Sequence, residues 1–265
     1  MNLSMRFSPQ SRSRRVTGGF TLMEILVTVA IVLVLAALAF PVYTSIQIRS
    51  HKAVALNNIK QLGTALGSFT AENDGWLPDE DSKGSDTWED AAKPESGKAW
   101  YNALPRLLGQ KGVGDYAKSP RDFYTKANLL FLPAAPYPDS DRKLAKPLFA
   151  IAFNTKLHRK DEGGIKGGLK TAMITHPSRT VLFLEQGLPG EEKGAPIQSK
   201  KDYDGSPKGS AKSMAGRYNG SGVLGFADGH TEVLPVKDVL TETGRFPFPQ
   251  TDIVWTRTPD EDPNK

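Results

Sequence analysis

An uncharged, apolar stretch near the N-terminus constrains this chain more than any other feature. No charged residue occurs from Ile25 to Ile48, and Thr28 is the only polar residue before Pro41. As a helix, the part from Ile25 to Val42 would be about 27 Å long at about 1.5 Å per residue. That length is close to the roughly 30 Å hydrocarbon core of a bilayer. A soluble helix of this size normally has a polar side, so the stretch predicts a membrane-spanning helix.

The residues before this stretch are basic, which allows two interpretations. One is a secretory signal peptide cut near residues 36–40 (AALAF), and the other is a retained signal anchor with a cytoplasmic N-terminus. The stretch is longer than the 7–15 apolar residues typical of a signal peptide. Without the four leader arginines, 30 basic residues face 29 acidic ones, so the net charge of +5 does not indicate a nucleic-acid partner. These arginines are Arg6, Arg12, Arg14 and Arg15.

A short motif favours the retained anchor. The sequence from Gly18 to Glu24 reads GGFTLME and resembles the class III signal of type IV pilins and of the pseudopilins of type II secretion. The resemblance implies that a prepilin peptidase cuts between Gly19 and Phe20 and methylates the new amine of Phe20. It also implies that the apolar helix is retained and that Pro41 bends it.

Glu24 is the candidate assembly residue. A carboxylate at the start of an apolar helix is costly in lipid and needs a partner, although the helix dipole favours it in the first turn. The resemblance implies that Glu24 meets the N-terminal amine of a neighbouring subunit. The alternative is an interfacial glutamate that extends to the lipid headgroups.

Helical signals continue beyond the membrane stretch. Apolar residues recur every three or four positions up to Phe69, and the turn residues at Asn73-Asp74-Gly75 end the pattern. We therefore expect one helix from about Phe20 to about Ala71. The predicted organisation is a leader (1–19), a transmembrane and filament-core helix (20–48), its periplasmic continuation (49–75) and a globular head (76–265). The apolar positions are Leu56, Ile59, Leu62, Leu66 and Phe69.

The head is predicted to be a small antiparallel sheet in an α+β fold. Short apolar runs at 148–153 and 180–184 indicate strands, and Trp100–Leu108 indicates a short helix. Asp228-Gly229 between two apolar-patterned runs predicts a hairpin with a type I′ turn. The segment from Arg217 to Leu234 resembles a C-terminal motif of pilin-like proteins that ends in this DG hairpin. Tyr218 stands where that motif often has histidine.

Little in the chain indicates catalysis. It has no cysteine, no histidine pair at metal-ligand spacing and no GxSxG, P-loop or dinucleotide motif in a suitable context. We predict no enzyme activity and no cofactor other than calcium, which some major pseudopilins bind near the C-terminus. Asp202, Asp204 or Asp228 would then be ligands; a polar turn without metal is the alternative.

The predicted function is structural: a subunit of a type II secretion pseudopilus or of a type IV pilus-like filament. Its expected partners are copies of itself, other pseudopilins, prepilin peptidase and the inner-membrane assembly machinery. Its expected location is the bacterial inner membrane, as a single-pass protein with a periplasmic head, and then the filament. A membrane-anchored module that binds polysaccharide or protein, and an anchored envelope enzyme, are the alternatives.

Overall fold

The computed structural model describes residues 19–80, 87–137, 145–158 and 169–265. Gly18 and the leader arginines lie outside the described residues. The chain divides into two compact units, Met1–Ile46 and Gln47–Lys265. The finer boundaries at residues 48 and 75 stay predictions.

Helix α1 (Leu22–Glu72) is one continuous helix, as its apolar pattern predicts. Its last five turns bury most of the side chains that recur at helical spacing, together with the amide of Asn58. The Asn58 side chain donates to the carbonyl oxygens of Leu129 (2.8 Å) and Phe131 (3.2 Å). The stripe therefore belongs to the core of the second unit. Of the predicted positions, four are buried and one is half-buried: Ile59, Leu62, Leu66 and Phe69 are buried, and Leu56 is half-buried.

Turn residues end α1 where the sequence indicates. Asp74 and Gly75 have positive φ angles of 51° and 81°, a conformation that glycine adopts without steric cost. The Gly75 amide donates to the Thr70 carbonyl (2.8 Å), and the Asn73 side chain donates to the Phe69 carbonyl (2.8 Å). These bonds satisfy carbonyl groups that the helix end would otherwise leave unpaired.

Five strands form one sheet in the order β3-β1-β2-β4-β5. All neighbouring pairs are antiparallel except β1 and β3, which are parallel. The expected α+β fold is confirmed, but the sheet is mixed rather than wholly antiparallel because the two-residue strand β3 reaches it through a long connection from β2. The strands are β1 (Ile151–Asn154), β2 (Val181–Glu185), β3 (Lys208–Gly209), β4 (Ser221–Phe226) and β5 (Thr231–Pro235).

Both faces of the sheet are covered. On one face, Phe183 and Val223 belong to the core that includes α1. On the other face, Leu184 and Leu224 pack with the chain that follows β5, including Trp255. Alternate residues of a strand point to opposite faces, and a register irregularity between Val181 and Phe183 places these two on different faces.

The β4–β5 hairpin exists, but its turn is not type I′. The Phe226 carbonyl accepts from the Gly229 amide, and the Phe226 amide donates to the His230 carbonyl, both at 2.9 Å. Only Gly229 of the turn residues has a positive φ, 88°, whereas a type I′ turn needs two such residues. The turn is therefore a three-residue loop, because Asp228 keeps negative φ and accepts the His230 amide at 3.1 Å.

Short helices complete the second unit. They are α2 (Trp88–Ala92), α3 (Trp100–Leu107) and α4 (Pro120–Phe123). Single 3-10 turns are Pro94–Lys98, Val113–Tyr116, Thr155–His158, Thr171–Met173, Lys200–Asp202, Ala211–Ser213 and Val236–Asp238.

Candidate assembly site

The N-terminus of α1 is a reciprocal helix cap. The Thr21 amide and hydroxyl both donate to Glu24 Oε2, at 2.8 and 2.9 Å, and the Glu24 amide donates to Thr21 Oγ1 at 3.2 Å. This is the capping-box arrangement, in which two residues satisfy each other's unpaired backbone donors at a helix start. The cap fixes the Glu24 carboxylate beside the residue that follows Phe20.

One carboxylate oxygen of Glu24 remains available. Glu24 Oε2 accepts both bonds from Thr21, and Oε1 accepts none from the residues that the structure describes. Cleavage after Gly19 would leave Thr21 intact, so the same cap can form in the processed chain. The oxygen Oε1 could then accept a hydrogen bond from a cation on another molecule.

The helix around this carboxylate is apolar and uncovered. Every described side chain from residue 19 to residue 46 is exposed, and Phe20 is 82% exposed. An exposed apolar surface of this extent marks a membrane or protein interface. Among the described helices, α1 is the one with the length and hydropathy to cross a bilayer. This part of α1 is thus built for membrane anchoring or helix association.

Pro41 lies within α1 and does not end it. Proline removes one backbone hydrogen bond inside a helix and usually bends it. The bend at Pro41 stays a prediction.

The structure does not bring the candidate calcium ligands into a recognisable centre. Asp204 Oδ1 accepts the Ser206 amide at 2.9 Å and closes a local turn, while Asp228 is engaged with the amide and ring of His230. Asp202 ends a single 3-10 turn. Within the described ranges, no three histidine, aspartate or glutamate side chains are grouped to hold a metal ion. The calcium site stays a prediction without support from these contacts.

Sequence reasoning missed two features. The first is the role of Thr21, although the spacing Thr-x-x-Glu in front of an apolar run is itself a capping-box signal. The second is a buried polar cluster in the other unit, where Glu185, Glu191, Arg217 and Tyr218 meet. No local pattern could reveal it, because its members come together only when β2 and β4 pair.

A long helix with an exposed apolar N-terminal half, followed by a small α+β unit, is a pilin-like architecture. The model of the prokaryotic N-terminal methylation motif matches residues 14–40, which contain the cap and most of the apolar run. The motif predicted from GGFTLME is therefore confirmed as a family match.

Two curated relatives are type IV filament proteins. The chain is 44% identical over 69 residues to the type IV major pilin protein PilA of Myxococcus xanthus (strain DK1622), covering 26% of this chain and 29% of that protein. It is 36% identical over 104 residues to the type IV major fimbrial protein FimA of Dichelobacter nodosus, covering 39% of this chain and 58% of that protein. No solved structure matches significantly. These findings support a relationship to the type IV pilins. The chain matches less than two thirds of the length of either relative.

Proposed function

We propose that this protein is a structural subunit of a type IV pilus-like filament or a type II secretion pseudopilus. The observation that carries the proposal is the methylation motif matched at residues 14–40, which includes the start of an exposed apolar helix. A prepilin peptidase would cut after Gly19 and methylate Phe20. N-methylation keeps the new amine positively charged at neutral pH.

The capped Glu24 supports a role in aligning subunits. It is the only charged residue from Phe20 to Ile48, and its Oε1 is not used by Thr21. The positively charged Phe20 amine of a neighbour would pair with this oxygen as the two helices pack. Such a pair offsets part of the cost of placing each charge in a low-dielectric environment, and removing one partner would leave the other charge uncompensated.

Assembly would exchange lipid contacts of the helix for contacts with sister helices. Lipid chains and apolar side chains are similarly apolar, so the exchange supplies little driving force by itself. We therefore expect an ATP-driven inner-membrane machine to extract the subunits. Before assembly the protein would be a single-pass inner-membrane protein with its N-terminus in the cytoplasm and its head in the periplasm.

Processing is tested by intact mass. Protein extracted from the membrane of a host with prepilin peptidase should begin at Phe20 and carry one methyl group. The same host without the peptidase should yield the uncut chain. Cleavage near Phe40 would instead indicate an ordinary signal peptide.

The pairing of Glu24 is tested by Glu24→Gln and Glu24→Leu, with Glu72→Gln at the other end of α1 as matched control. Breaking a buried charge pair costs about 3–5 kcal/mol, and about 1.4 kcal/mol already changes an equilibrium constant tenfold. Both Glu24 variants should lose sheared-filament yield at least about tenfold, while membrane abundance and cleavage persist. The control should assemble normally.

Normal filament yield from Glu24→Leu would refute the pairing mechanism and favour a carboxylate that reaches the headgroups. A wild-type protein that is cleaved and anchored but never forms filaments in a complete assembly system would favour an anchored binding module.

A further inference from the structure

In the second unit, two carboxylates surround one buried guanidinium group. Arg217 donates from Nε and Nη2 to the two carboxylate oxygens of Glu191, both at 2.8 Å. Its Nη2 also donates to the Gln186 carbonyl at 2.6 Å. Only a long contact of 3.4 Å joins Arg217 Nη1 to Glu185 Oε1. The charge of Arg217 is thus mainly matched by Glu191, and Glu185 is an additional carboxylate with 0% of its side chain exposed.

Glu185 is held by donors at the point where β2 and β4 separate. The Val223 amide donates to Glu185 Oε2 at 2.9 Å, and the Tyr218 hydroxyl donates to Oε1 at 3.0 Å. The Glu185 side chain therefore accepts the hydrogen bond from the Val223 amide that a backbone carbonyl would accept if the β2–β4 pairing continued. These bonds suit an ionised carboxylate, which accepts and does not donate.

Tyr218 also reaches helix α1. Its hydroxyl oxygen lies 3.4 Å from the backbone carbonyl oxygen of His51. A phenol has one proton, so it can donate fully to Glu185 or to His51 but not to both. With Glu185 ionised, the carboxylate is the stronger acceptor and keeps this proton.

Protonation of Glu185 would reverse the first bond. The carboxylic acid would donate from Oε1 to the Tyr218 oxygen, and the phenol would turn its proton to the His51 carbonyl. We propose that Glu185 and Tyr218 form a protonation-dependent hydrogen-bond relay that ends on the backbone of α1 at His51. Acidification then adds a hydrogen bond between the head and the helix without moving the backbone.

The surrounding charges set the pH at which Glu185 takes up a proton and the hydrogen bonds of the relay change. Burial raises the pKa of Glu185, while the nearby guanidinium of Arg217 and the bonds from Val223 and Tyr218 oppose the shift. Glu191, Tyr137 and Tyr203 are further titratable groups that interact with the charges of the cluster. Because the folded-state pKa of this acid is raised, its contribution to stability is complete below the unfolded pKa and falls as pH rises through the folded pKa.

The test is a carbon-13 NMR titration of the full chain in detergent micelles, with carboxyl-labelled glutamate and carbonyl-labelled histidine. His51→Gln identifies the His51 carbonyl signal by its loss, and Glu185→Gln identifies the Glu185 signal. In the wild type, the His51 carbonyl should shift with the midpoint of Glu185. In Tyr218→Phe the part of the shift that has the midpoint of Glu185 should be lost.

A second comparison does not depend on Tyr218→Phe folding normally. Glu185→Gln places an amide donor where the protonated acid would stand. At neutral pH its His51 carbonyl signal should therefore be displaced from the neutral-pH wild-type position, in the direction that accompanies protonation of Glu185 in the wild type. A His51 carbonyl that does not follow Glu185 in the wild type would overturn the relay. So would one that follows Glu185 equally in Tyr218→Phe, or one that keeps its neutral-pH wild-type position in Glu185→Gln.

Discussion

Gly225 of β4 lies against Ile59 of α1, and replacing this glycine with alanine should push the strand and the helix apart. A Cβ atom at Gly225 would lie 2.5 Å from Ile59 Cγ2 and 3.4 Å from Phe183 Cβ. Carbon atoms normally approach to about 3.5–4.0 Å, so the helix or the Ile59 side chain must move by about 1 Å.

The expected cost follows from two opposing effects. Overpacking of a close-packed core costs about 1–3 kcal/mol, and removing a glycine from a strand returns about 0.5–1 kcal/mol. Gly225→Ala should therefore lower the free energy of unfolding by about 1–2 kcal/mol. Gly67→Ala is the matched control, because a Cβ there meets nothing within 4 Å. The control should raise the free energy of unfolding by about 0.5–1 kcal/mol.

A double variant tests whether Ile59 is the cause. Ile59→Ala alone should cost about 2–5 kcal/mol through the cavity it leaves. In the double variant Ile59→Ala/Gly225→Ala, the new methyl group occupies part of this cavity. The double variant should then lose less unfolding free energy than the sum of the two single losses, by at least about 1 kcal/mol.

The assay is guanidinium unfolding of the full chain in detergent, followed by tryptophan fluorescence. All four tryptophans lie in the unit Gln47–Lys265, so the signal reports on that unit. If Gly225→Ala were as stable as the wild type, or if the two losses in the double variant were strictly additive, the close approach between β4 and α1 would be refuted.

Three further predictions concern the second unit. Arg217→Met should cost about 3–5 kcal/mol by leaving the carboxylates of Glu185 and Glu191 unpaired; the same fluorescence assay measures the loss, and adding Glu191→Gln should recover part of it. Burial raises the pKa of Tyr137 to about 12. Its neutral phenol should therefore contribute fully to the free energy of unfolding below about pH 10, and this contribution should be lost as the pH rises towards 12. The difference in absorbance at 295 nm between the wild type and Tyr137→Phe isolates this ionisation and should appear together with unfolding, whereas ionisation of Tyr137 near pH 10 in a still folded chain would contradict the prediction. A chain of residues 49–265 should be soluble and melt cooperatively in calorimetry, and an aggregated product in several buffers would argue against this boundary.

The N-terminal half could be predicted from the sequence because its signals are local. The apolar run, the spacing from Phe20 to Glu24 and the turn residues after Glu72 each involve neighbours along the chain. Helix periodicity and turn chemistry act over a few residues, so the continuous helix α1 and the methylation motif could be recognised without tertiary contacts. The Thr21 cap was equally local and could have been predicted from its spacing.

The head was predictable only in outline. Short apolar runs gave the approximate places of β1, β2, β4 and β5, and Asp228-Gly229 gave the hairpin. The sequence could not give the parallel edge made by β3, since that pairing joins segments more than fifty residues apart. Nor could it give the turn type, which depends on Asp228 bonding to His230 rather than adopting a positive φ.

What the sequence alone determined is the kind of N-terminal helix this protein has and the processing motif in front of it. Only the tertiary structure decided where Glu185, Arg217 and Tyr218 meet. It also decided that Ile59 leaves no room for a side chain at position 225. Burial, charge pairing and close packing depend on distances between segments that are remote along the chain. These distances exist only after the sheet has formed and α1 has packed on it.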